Sequence, residues 1–153
     1  MGQLSPDTLK SVLSSKVFGR VYAFDPGDST GICILDQSAP GIYHVRTVVQ
    51  QDLFRLLSRY DTTVPSMIFY ESFVSRPVQF ARTQLAPQNI GAIQYWAYIN
   101  DFKTMEIMPA ETHRIKREVI RDAGWEWHTE HELDAIRIMV YGMVVLQYRT
   151  GKK

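Results

Sequence analysis

The chain has 153 residues, 45% of them hydrophobic and 22% charged, with a formal net charge of +1. That is the make-up of an ordinary soluble domain with enough chain for a real core. It excludes a global positive field as a basis for nucleic-acid binding and leaves only local clusters of Lys and Arg for that purpose. A single domain over 1–153 is expected, with 1–16 as a peripheral segment. Cys33 is the only cysteine, which excludes an internal disulfide and makes a reducing cytoplasm the expected setting. The opening MGQLSPDTLKSV lacks the apolar core of a signal peptide, and the longest apolar run, near the C-terminus, is too short for a bilayer and carries Arg137.

Ser5-Pro6-Asp7 caps a short helix over Thr8–Ser14. Val17, Phe18, Val21, Tyr22 and Phe24 have the β-branched and aromatic bias of a strand, one apolar enough to be covered on both faces, and it ends in Asp25. A Pro26-Gly27 turn leads to a second strand that opens at Ser29-Thr30-Gly31 and continues through Leu35. After the Ala39-Pro40-Gly41 turn, Gly41–Val48 predicts a third strand. Leu53, Leu56 and Leu57 are spaced for an amphipathic helix over Gln51–Tyr60. Ser66–Glu71 is a dense apolar strand that, like the first, ends in a carboxylate.

Periodicity fails between Ser72 and Pro87, where two prolines, Arg76, Arg82, Phe73 and Phe80 mark a long loop of the kind that usually serves function. Gln88–Asp101 predicts a helix with Ile90, Ile93 and Ala97 inward, and Lys103–Met108 a strand stopped by Pro109. Ala110–Ala123 predicts one helix with an apolar stripe (Ile115, Val119, Ile120) and a basic one (Arg114, Arg117, Arg121), closed by Gly124. Past Trp125 and Trp127, read as core filling, Thr129 or Glu130 opens a final helix to about Tyr148 that is apolar around most of its girth. That girth has to meet the core, a partner, or both.

Three hairpin-joined strands followed by alternating helix and strand make an α/β fold, a mixed sheet of about five strands with the first three antiparallel and helices on its faces. This is the ribonuclease H-like architecture. In it the strands ending at Asp25 and Glu71 lie side by side and parallel, so both carboxylates leave the sheet at one edge. His131 and Asp134 share one face of the first turn of the last helix, whose N-terminus can be aimed at that edge. Converging carboxylates repel one another and raise each other's pKa, which a divalent ion relieves. Oxygen donors with an imidazole suit Mg²⁺ or Mn²⁺, and a pair of such ions can activate water and stabilise the leaving oxygen of a phosphodiester.

Three motifs in order carry a family resemblance: D-P-G-x-x-x-G at Asp25–Gly31, a glutamate closing an apolar strand at Glu71, and H-x-x-D-A at His131–Ala135. Over about Val17–Leu146 the chain resembles the RuvC family of Holliday junction resolvases, and its compact length and divergence look like a phage-encoded version. The resemblance implies a homodimer that makes paired, metal-dependent nicks in branched DNA. It puts Asp25, Glu71, His131 and Asp134 on the metal-binding and catalytic positions and an aromatic wedge near Phe73. The glycine-rich, lysine-containing stretch of the cellular enzymes has no counterpart here, which leaves junction sequence preference and strict junction specificity open.

Blander readings compete at each position. Asp-Pro-Gly is ordinary turn chemistry, a glutamate at a strand end can be solvated, and His131, read first as a ligand or a general base, has a helix cap as its competitor. Asp28 and Glu132 are expected to be exposed. Phosphate contact is expected from Arg76 and Arg82 and from Arg114, Arg117 and Arg121, with Phe73 or Phe80 wedging between bases. The alternatives to junction resolution are a related nuclease for flaps, forks or RNA–DNA hybrids and an inactive DNA-binding module.

Overall fold

A computed structural model describes residues 4–13, 19–36, 39, 42–72 and 85–151. The strands Arg20–Asp25 (β1), Ser29–Asp36 (β2), Tyr43–Val49 (β3), Ser66–Glu71 (β4) and Lys103–Ile107 (β5) form one mixed sheet in the order β3-β2-β1-β4-β5. The pairings β1/β2 and β2/β3 are antiparallel, whereas β1/β4 and β4/β5 are parallel. The helices are Pro6–Leu13 (α1), Gln50–Arg59 (α2), Leu85–Ile99 (α3), Pro109–Thr112 (α4), Arg117–Asp122 (α5) and Glu130–Gly151 (α6). The expected α/β mixed sheet with its antiparallel first three strands is the one observed.

Alternation along the strands splits the core in two. Val21 and Ala23 of β1, Cys33 and Leu35 of β2, Phe69 of β4 and Ile107 of β5 face α6 together with α1 and α5. Tyr22, Phe24, Ile32, Ile68 and Tyr70 face α2 and α3, where Trp96 packs edge-on against Tyr22, Phe24 and Phe102. That period of two puts Asp25 after Val21 and Ala23, and Glu71 after Phe69, on the face that α6 covers.

Three expectations are corrected. The segment before β1 is not peripheral throughout: in α1, Leu9 and Val12 are fully buried, and the Leu9 carbonyl accepts the Trp125 indole N–H. The single helix expected over Ala110–Ala123 is two short ones, because Lys116 is extended (φ −73°, ψ 143°) and the Ile115 carbonyl accepts the Arg137 Nε–H. Gly124 does close α5, at φ +98°, where a side chain would be strained. Glu132 is buried, not exposed: Thr129 caps α6 by accepting from the Glu132 N–H at 3.1 Å, and its hydroxyl donates to the Glu132 carboxylate, a side-chain variant of the capping box. Of the two destinations open to the girth of α6, the core takes it, with Leu133, Ala135, Ile136, Ile138, Met139 and Val140 fully buried. The exposed apolar side chains include Tyr95, Tyr98 and Ile99 on α3.

Candidate active site

The parallel register pairs Phe24 with Tyr70, so Asp25 and Glu71 are the next residues on adjacent strands at the carboxyl edge of the sheet. This is where open α/β sheets bind their ligands. On its other side Asp25 pairs with Gly31, and a Cβ built on Gly31 would run into the backbone carbonyl of His131. The missing side chain is therefore what lets the first turn of α6 lie on β2. That contact brings the His131 Nδ1 to 3.6 Å from Asp25 Oδ2, beyond hydrogen-bond length but close enough to attract when the imidazole is charged. Asp134 follows one turn later.

The electrostatics are those of acids short of positive charge. Asp25, with 14% of its side chain exposed, has its carboxyl pushed up to about 8 by burial first and then by Asp134 and Glu71. Glu71 is also raised by burial, opposed by the hydroxyl of Thr112, which donates to its Oε2 at 2.9 Å, and by the positive fields of His113 and Arg137. Asp134 is met by Arg137, whose Nη1 lies 3.0 Å from Asp134 Oδ1 and whose Nε donates to the Ile115 carbonyl at 2.8 Å. The second bond uses a carbonyl at the α4–α5 break, which ties that break to the site.

Three carboxylates and an imidazole are a donor set that fits Mg²⁺ or Mn²⁺ in chemistry. As placed, no three His, Cys, Asp or Glu side chains among the described residues close on one point at ligand distance. Thr112 engages one oxygen of Glu71 and Arg137 one oxygen of Asp134.

The expected site residues thus divide. Asp25, Glu71, His131 and Asp134 come to one rim. Arg114, Arg117 and Arg121 do not form a basic stripe, since the break puts Arg114 outside α5. Arg114 lies 3.9 Å from Glu111, Arg117 bonds Glu130 at 2.9 Å, and the Arg121 guanidinium sits over the Trp127 ring, 5.4 Å from its centre. Phe73, Arg76, Phe80 and Arg82 lie outside the described residues. Thr112 and Arg137 were not foreseen; an arginine three residues after Asp134 in an otherwise apolar helix was the available signal.

No protein-family profile matches the chain, and neither does any curated protein. Solved structures do. The RuvC of T. thermophilus in complex with Holliday junction substrate matches at a TM-score of 0.63 and 15% identity, over 87% of this chain and 96% of that one. The Thermus thermophilus RuvC structure matches at a TM-score of 0.58 and 15% identity, over 86% and 96%. The fold is RuvC-like. A RuvC-like sheet supplies the frame on which β1, β4 and α6 carry their acids to a shared edge. No helix among the described residues is long and apolar enough to cross a membrane.

Proposed function

We propose that the chain is a divalent-metal-dependent endodeoxyribonuclease that resolves four-way DNA junctions by paired nicks, working as a two-fold dimer. The observation that carries this reading is the meeting of Asp25, Glu71 and Asp134 at one rim of a RuvC-like sheet, with Asp25 so buried, and so close to the other two acids, that it keeps its proton to about 8. The choice of substrate is supported by the RuvC of the same fold whose structure holds a Holliday junction.

Asp25, Glu71, His131 and Asp134 would hold Mg²⁺, with Mn²⁺ as substitute, and the bound ion lowers the pKa of water and offsets charge on the phosphate. The protein's own groups prepare that chemistry. Thr112 orients Glu71 and Arg137 orients Asp134. His131, 48% exposed and with Nδ1 3.6 Å from Asp25, is the imidazole donor of that set. Labelled four-way junctions, flaps, forks and RNA–DNA hybrids, each incubated with Mg²⁺ or Mn²⁺, test the reading. Symmetric paired cuts in the junction support it. Preference for a hybrid moves the protein to another ribonuclease H-like activity, and tight junction binding without cutting makes it a binding module.

The dimer is assigned to α3, where Tyr95, Tyr98 and Ile99 are 66%, 82% and 56% exposed and share one side of the helix. A Tyr95→Glu/Tyr98→Glu variant is expected to sediment as a monomer and to lose paired cutting while retaining its fold by circular dichroism. A wild type that is monomeric at micromolar concentration with junction present would remove the two-fold mechanism.

A further inference from the structure

We propose that Arg137 is a resident cation of the carboxylate site: it supplies one of the positive charges the acids need, engages one oxygen of Asp134, and so limits the DNA-free protein to a single divalent ion per chain. The inference rests on the nuclease reading above and deepens it.

Arg137 lies on α6 among fully buried neighbours, Ile136 and Ile138, and its own side chain is 14% exposed. A guanidinium so placed is costly unless its donors are met. Both contacts are specific: Nη1 to Asp134 Oδ1 at 3.0 Å and Nε to the Ile115 carbonyl at 2.8 Å. Two anchors on different elements fix the planar fork, a geometry that a lysine ammonium cannot reproduce. Its field also reaches Glu71, where it opposes the effect of burial.

Charge then decides how many ions the site takes. Fully ionised, Asp25, Glu71 and Asp134 carry three negative charges, and Arg137 cancels one. One dication neutralises the remainder. A second would add two positive charges to a neutral site before any DNA is present, so it enters with the negative scissile phosphate. Asp134, with Oδ1 committed to Arg137, has one oxygen left for a metal.

The test is Mn²⁺ titration of the DNA-free protein by calorimetry and electron paramagnetic resonance, for the wild type, Arg137→Gln, Arg137→Lys and Asp25→Asn, with Tm recorded for each. The wild type is expected to bind one ion. Arg137→Gln removes a positive charge next to a ligand and is expected to bind Mn²⁺ roughly tenfold more tightly, the size of such a Coulomb effect in a water-accessible site. Arg137→Lys keeps the charge but not the fork, so it is expected to bind Mn²⁺ within about twofold of wild type and, with Asp134 no longer held, to cut the junction less well. Junction cleavage by Arg137→Gln should fall although metal binding improves, because Asp134 is no longer held. A purely structural role predicts weaker metal binding together with a lower Tm. A wild type that binds one ion while Arg137→Gln binds as weakly or more weakly overturns this inference alone. Two ions of similar affinity in the DNA-free wild type also overturn it. A wild type that binds no Mn²⁺, like Asp25→Asn, takes the nuclease reading down and this inference with it.

Discussion

Asp25→Asn is expected to give a protein that is more stable and no longer cuts DNA. An unfolded aspartate gives up its proton near 3.8, whereas folded Asp25 holds it to about 8. Between those values the unfolded chain gains by ionising and the folded chain does not. The stability associated with this group is therefore fully present below about pH 4 and is lost as pH rises to about 8. At pH 8 the penalty is on the order of 3 kcal/mol once residual solvent is allowed for. Asparagine mimics the neutral carboxyl and removes the penalty, so Tm in EDTA should exceed that of wild type by roughly 6–12 °C at pH 8. The difference should shrink toward zero near pH 4–5. Cleavage should fall by at least ~100-fold, the cost of losing a preorganised charge at a reacting centre. Mn²⁺ should raise the Tm of wild type but not of the variant, because only the former binds it. Calorimetric scans from pH 4 to 8.5 check all of this except cleavage, and Tm curves that run parallel at every pH would show that Asp25 is not a buried acid in want of a cation.

The rim itself was legible because its parts are local patterns. Apolar strands ending in Asp25 and Glu71 announce themselves by composition, and hairpin order makes them neighbours. The i, i+3 spacing of His131 and Asp134 announces a shared helix face. What the sequence hid depends on bonds between distant residues. Ala110–Ala123 has the stripe of a continuous helix, yet Thr112 turns to Glu71, 41 residues away, and the Ile115 carbonyl takes the Arg137 Nε from 22 residues away. No window of local periodicity contains either partner. Arg137 stood out in the sequence only as a charge in an apolar run, because its partner Asp134 was already assigned to metal. Glu132 is a different case: T-x-x-E at Thr129–Glu132 is a capping-box signature, and it outranks the general expectation that acids in a first turn face water. The girth of α6 is ambiguous in principle, since the same sequence serves a core or an interface. The sheet, with α1 and α5 on the same face, claims it.

Gly31→Ala, the addition of one methyl group, is expected to cost more than any other change of its size at the site. In sequence Gly31 is merely the last residue of D-P-G-x-x-x-G; in the fold it is the seat of the last helix. The added Cβ would overlap the carbonyl carbon and oxygen of His131, and those atoms belong to helical backbone, which cannot rotate away as a side chain can. Either β2 or the first turn of α6 must move. Moving α6 displaces His131 from Asp25 and carries Asp134 with it, since the two lie one turn apart on the same rigid element. The overpacking cost should be about 3 kcal/mol, a Tm lower by roughly 6–12 °C. Gly91→Ala is the matched control: nothing lies within 4 Å of its built Cβ in the middle of α3, and removing a flexible residue there should add about 0.5–1 kcal/mol. The two substitutions should therefore shift Tm in opposite directions. Lowering the assay temperature to restore the folded fraction of Gly31→Ala should recover little cleavage, because the loss lies in the placement of His131 and Asp134. Full activity in that folded fraction would mean that α6 does not need this seat to bring its acid to the rim.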